Sequence, residues 1–150
     1  MRQGFSATGD FAGLLFVSLA LIWAKAPAHL LLAAACHEAG HILYAKIRRL
    51  GPPRAQIFFA GVRLRYPATV SYRDGFFLCL AGPAASLIAY FAAGGTFFSL
   101  YSLGLALINL LPVSCLDGGG MLYCLSCMIF PFERAVSVCR IVSSAAVTAL

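Results

Sequence analysis

An all-α polytopic membrane protein of four and up to six transmembrane helices, carrying a short β-hairpin, is the fold class this 150-residue sequence predicts. Three observations lead to it. Hydrophobic residues make up 61% of the chain and charged residues 11%, which leaves too few polar side chains to cover the surface of a soluble helical domain. Apolar runs recur at close to the roughly 20 residues a helix needs to cross a hydrocarbon core about 30 Å thick. Turn-forming and helix-breaking residues separate those runs. The chain, residues 1–150, reads as a single domain.

The first apolar run, Phe11 to Trp23, has Asp10 as its helix N-cap. It follows Arg2, yet another hydrophobic segment comes after it, so it reads as a retained helix and not as a cleaved signal peptide. Lys25-Ala26-Pro27 breaks the chain, and Pro27 suits the opening turn of a second helix from Ala28 to Ile47. Gly51-Pro52-Pro53 stops that helix. Between Gln56 and Tyr66 the period changes. Val62, Leu64 and Tyr66 alternate with Arg63 and Arg65, and Ala60-Gly61 separates them from Ile57-Phe58-Phe59, as in a hairpin. Its apolar residues fit contact with the bilayer, and its arginines fit a solvated basic loop. Asp74, read as a cap, and Gly75 precede a third span from Phe76 to Ala93, which Gly94-Gly95 ends. A fourth run, Thr96 to Leu111, leads into Pro112, and Val113 to Gly120 holds too many breakers for continuous helix. Met121 to Phe130 and Ala135 to Leu150 are the two further candidate spans.

Formal net charge is +6, and the cations are unevenly spread. Lys46, Arg48, Arg49, Arg54, Arg63, Arg65 and Arg73 fall in one interval, which the positive-inside rule places in the cytoplasm. Basic residues beside membrane helices need no nucleic acid to explain them, so none is expected as a partner. Of the six cysteines, most lie in apolar stretches where a thiol packs as a small hydrophobe. Cys124 and Cys127 have C-x-x-C spacing but no second pair to complete a structural zinc site, and they read as packing residues.

The chemistry lies in His37-Glu38-Ala39-Gly40-His41. On a helix, residues four apart differ by about 40° around the axis and about 6 Å along it, so His37 and His41 can present their imidazoles to one metal ion. Glu38 adjoins them, close enough to take a proton from an activated water without being a ligand. Ionisable groups in a membrane helix are costly, and two histidines and a glutamate within about one turn point to function. A hydrogen-bonded cluster joining helices is the other reading. Catalytic zinc takes three protein ligands and leaves one position open. His29 would lie about 12 Å from His37 along the same helix, too far to share the ion, and reads as an interfacial residue. Glu133 opens a separate segment. With the N-terminus inside, Asp117 falls at the depth of the histidines, beside a broken helix, and is the expected third ligand. Cys115 is the weaker candidate. Two neutral imidazoles, one anionic ligand and a hydroxide make Zn²⁺ formally neutral, whether the anion is carboxylate or thiolate.

HEAGH on an apolar helix, followed by Asn109-Leu110-Leu111-Pro112 and then Asp117-Gly118-Gly119, resembles the site-2 protease (M50) family of intramembrane zinc metalloproteases. Within it the chain is most similar to the compact bacterial sporulation factor IVFB-like branch, which lacks PDZ domains. The resemblance implies that His37, His41 and Asp117 bind one Zn²⁺ per chain, that Glu38 is the catalytic acid/base, and that Asn109 holds substrate or oxyanion. Ala81-Gly82-Pro83 is similar to a family segment, whereas Ser86 stands where relatives often have Asn and is given no binding role. The hairpin resembles the family's re-entrant β-loop, which implies that Phe58, Phe59 and Gly61 contact an extended substrate strand by β-augmentation. Implied partners are the lipid bilayer and a membrane-associated protein substrate of transcription-factor, anti-sigma or pro-sigma type. An oligomer is compatible with this reading.

The expected function is therefore intramembrane zinc metalloendopeptidase activity of a multi-pass bacterial membrane protein, with its site toward the cytoplasm. A route for water bordered by Ser114 and a bend at Gly118-Gly119-Gly120 is part of that expectation. The alternative is a membrane zinc carrier or sensor that uses the same ligands without hydrolysis. Glu38 separates the two, because a carrier has little use for it.

Overall fold

The computed structural model describes residues 27–51, 54–58, 61–65 and 70–149. The expected first span Phe11 to Trp23, its cap Asp10, and Phe59, Tyr66 and Leu150 lie outside the described residues. In chain order the elements are α1 (Pro27–Ile47), β1 (Arg54–Phe58), β2 (Gly61–Arg65), α2 (Tyr72–Ala93), α3 (Phe97–Asn109), α4 (Asp117–Ile129) and α5 (Phe132–Ala149). The described chain is thus helical apart from one hairpin. The strands pair antiparallel, with Arg54 opposite Arg65 and Phe58 opposite Gly61.

Helix α1 opens at Pro27, which supplies a helical φ and lacks only an N–H that would have no partner in the first turn. Arg49, with φ of 53°, turns the chain out after Ile47, and the Leu50 N–H reaches back to the Ala45 carbonyl at 3.0 Å. The start of α2 differs from expectation. Ser71, not Asp74, is the N-cap: its Oγ accepts from the Asp74 N–H at 3.1 Å and donates to Asp74 Oδ2 at 2.8 Å. Asp74 sits in the first helical turn, where a carboxylate favours the helix dipole. Its other oxygen accepts from Arg48 Nε at 3.0 Å and from the Tyr44 hydroxyl at 3.3 Å, which ties the end of α1 to the beginning of α2. Leu50 and Val70, at the two roots of the hairpin connection, pack against Ala45 and Leu78.

Helix α2 is the hub, packing against α1, α3 and α4, while α5 packs on α4. Pro83 lies inside it, so the Cys79 carbonyl loses its intrahelical donor, yet the helix continues to Ala93. Gly94 caps it, and Gly95 takes a φ of +76° before Thr96 caps α3 by accepting from the Ser99 N–H at 3.1 Å. Among the described residues, α2 is the one helix long and apolar enough to cross a membrane, and α3 is apolar but shorter.

The expected bend at Gly118-Gly119-Gly120 is not found. These glycines are the first turn of α4, which begins at Asp117. Their smallness serves contact instead of turning. A Cβ at Gly118 would overlap the Leu110 and Leu111 carbonyls, and one at Gly119 would overlap that of Val113, so the loop after α3 folds directly onto the start of α4. Ser143 on α5 holds the same loop: its Oγ donates to the Pro112 carbonyl at 3.0 Å and accepts from the Ser114 hydroxyl at 2.8 Å.

Candidate metal centre

Helices α1 and α4 supply the three side chains of the site, and α2 supports them from behind. Successive turns of α1 place His37 and His41 on the face turned to α2, with their ring centroids 5.0 Å apart. That contact needs small residues on both helices. A Cβ at Gly40 would overlap the Ala81 carbonyl and lie 2.7 Å from Ala85 Cβ. A Cβ at Gly82 would overlap His41 Nε2 and lie 2.7 Å from His37 Nε2. Gly82 therefore provides the space into which both imidazoles project.

Asp117 enters from the other side, eighty positions along the chain from His37. Its Oδ2 lies 3.0 Å from His37 Nε2 and 3.3 Å from His41 Nε2, and the two Nε2 atoms are 3.3 Å apart. All three ligand atoms fall within 4.8 Å of one another, the only such set of histidine, cysteine and acidic groups among the described residues. His37 and Asp117 are buried, at 5% and 8% exposure. Cys115, the weaker candidate, is not part of the set.

Both rings are held from behind. His41 Nδ1 donates to the Leu78 carbonyl at 2.7 Å, and His37 Nδ1 lies 2.9 Å from Ser86 Oγ. With each Nδ1 engaged, the Nε2 atoms are the ones offered to a shared partner. Two nitrogens and one carboxylate oxygen, converging and buried, are a donor set that suits zinc and leaves its fourth tetrahedral position free. Ser86 is the residue that sequence reasoning passed over. It was given no binding role, and the structure places it, fully buried, against the first histidine. The four-residue steps Leu78, Gly82, Ser86 along α2 match the step of the two histidines, a match that shows only once α2 is set against α1.

The remaining expected residues are not gathered at this point. Glu38 is exposed and lies outside the ligand set, one residue from His37 and three from His41 on α1. Asn109 is buried at the end of α3 and commits one amide hydrogen to the Leu105 carbonyl at 3.0 Å. Phe58 and Gly61 face each other as backbone partners in the hairpin, and Phe59 lies outside the described residues. His29, expected away from the metal, is exposed and meets Phe97 edge-on at 6.4 Å between ring centroids. No protein-family model and no curated protein matches this chain.

Proposed function

We propose that the chain is an intramembrane zinc metalloendopeptidase of the site-2 protease type, which hydrolyses a peptide bond in or near a transmembrane segment of a membrane-associated protein. One observation carries the reading: His37, His41 and Asp117 converge on one buried point, with Glu38 beside them on the exposed side of the same helix. Bound zinc would supply Lewis acidity toward water and the scissile carbonyl. The chain's own residues do the rest. Glu38, next to His37 on α1, takes a proton from the attacking water and returns it to the departing amine, with no covalent enzyme intermediate. Its exposure leaves it open to substrate, while Asp117 and the imidazoles stay enclosed. Asn109 retains a second amide hydrogen for the substrate carbonyl, and the hairpin edge offers backbone pairing to an extended strand.

The proposed membrane setting draws support from where polar and apolar groups lie. Phe91 is 77% exposed, Ile88 and Ile141 69%, and Ile47 68%, whereas Ser86, Ser99, Ser102, Asn109, His37 and Asp117 are buried. That inverts the usual arrangement in water and suits helices joined by small and polar residues in lipid. In this setting four or more helices cross the bilayer and the metal centre lies toward the cytoplasm. The protein is then expected to stay with membranes through an alkaline carbonate wash and to leave them only with detergent. Release by the wash alone counts against the membrane assignment.

The catalytic assignment is tested with purified protein and a membrane-protein substrate in liposomes. Glu38→Gln is expected to lower the cleavage rate by about 10²–10⁴-fold, the range that a general acid/base contributes, with zinc content unchanged. Undiminished cleavage by this variant removes Glu38 from the mechanism. A parent protein that binds zinc but cleaves nothing favours the carrier or sensor reading.

A further inference from the structure

A histidine can ligate through either ring nitrogen, and what holds one nitrogen decides which is offered. On α2 the groups facing the two rings recur at four-residue steps: the Leu78 carbonyl behind His41, Gly82 between the rings, and the Ser86 hydroxyl behind His37. The two supports differ in kind. Leu78 contributes a backbone atom, which accepts but cannot donate and which no side-chain change removes. Ser86 contributes a side chain, and that side chain is 0% exposed.

Serines in these helices fall into two groups: Ser99 and Ser143 donate away from their own helix, to the Tyr90 and Pro112 carbonyls, and others bond within it. Ser102 donates to the Phe98 carbonyl at 2.8 Å, Ser137 to that of Glu133 at 3.0 Å and Ser144 to that of Arg140 at 2.8 Å, each one turn back on its own helix. Ser86 Oγ instead bridges to the neighbouring helix and meets an imidazole whose other nitrogen points at Asp117.

We infer that Ser86 is a positioning residue of the metal centre: by engaging His37 Nδ1 it directs Nε2 toward the shared point and sets the affinity of the site for zinc. The inference rests on the metal reading of the centre and is independent of whether the protein is a protease.

The test is zinc affinity, measured by chelator competition on the purified full chain in detergent, without any substrate. Ser86→Ala is expected to weaken zinc binding by about 10–100-fold, as loss of such an outer partner does. Ser86→Cys, which keeps the volume but hydrogen-bonds weakly, is expected to show a comparable loss, and it replaces the alanine variant if that one fails to fold. Ser102→Ala makes the same chemical change at an equally buried serine that bonds only within its helix, and it should leave affinity unchanged. Cobalt substitution supplies a second readout, with the visible ligand-field bands of Ser86→Ala shifted from those of the parent. Zinc affinity at the parent value in Ser86→Ala, or an equal loss in Ser102→Ala, overturns the inference. If no variant or parent binds zinc, it is the metal reading itself that has failed.

Discussion

Gly82→Ala is expected to abolish zinc binding, although the substitution adds one methyl group and favours the helix by propensity. The added Cβ has to occupy the place of His41 Nε2 and would come within 2.7 Å of His37 Nε2. Either the imidazoles swing away from Asp117 or α1 and α2 move apart. The second route forfeits the close packing half a turn to one turn away, where Gly40 lies against Ala81 and Ala85. Protein interiors do not yield to such an overlap without strain. The loss of affinity should exceed the about 10–100-fold expected for removing an outer hydrogen-bond partner, because both histidine ligands are displaced together. Gly104→Ala is the matched control: nothing lies within 4 Å of a Cβ there, so zinc binding should persist. That control should also gain about 0.5–1 kcal/mol of helix stability. Metal analysis of the two purified variants decides the matter, and a Gly82→Ala protein with its full zinc content refutes the packing argument.

Asp117→Ala should have an effect of the same order by a different route. It leaves both imidazoles in place, each still engaged at Nδ1, but removes the only anionic member of the set. Without the carboxylate a divalent cation in a buried site keeps its full charge, and the desolvation cost is no longer offset. Zinc content is expected to fall to background. Cys115→Ser, two positions away, is expected to retain it, since the thiol is outside the ligand set. Retention by Asp117→Ala together with loss in Cys115→Ser would exchange the two assignments.

The ligand set was open to sequence reasoning because each part has a local signature. The i, i+4 step of His37 and His41 puts two imidazoles on one face of any helix. The breakers from Pro112 onward mark where the chain leaves one helix before the next, and Asp117 is the first residue of that next helix. The hairpin showed through alternation, but its register did not: Gly61, expected between the strands, belongs to β2 and pairs with Phe58. What stayed hidden depends on how helices are placed against each other. Ser86 looks like any apolar-helix serine until the register of α2 on α1 sets it behind His37. Gly118 and Gly119 carry the composition of a bend, and only the nearness of the Leu110, Leu111 and Val113 carbonyls shows that they serve contact within a helix. Asp74 and Ser71 both suit a helix start, and three residues of phase decided which became the cap.

The eighty positions between His37 and Asp117 also impose an order on how the protein is made. During synthesis the two histidines emerge long before the carboxylate, and a chain shorter than 117 residues holds an incomplete ligand set. If the three residues hold zinc as proposed, its capture by the full set belongs to the end of assembly, after α2 has docked on α1 and the loop after α3 has closed onto α4. If the proposed protease activity holds, a nascent or truncated chain is harmless: the means of cutting peptide bonds would come into being only once most of the polypeptide has folded around them.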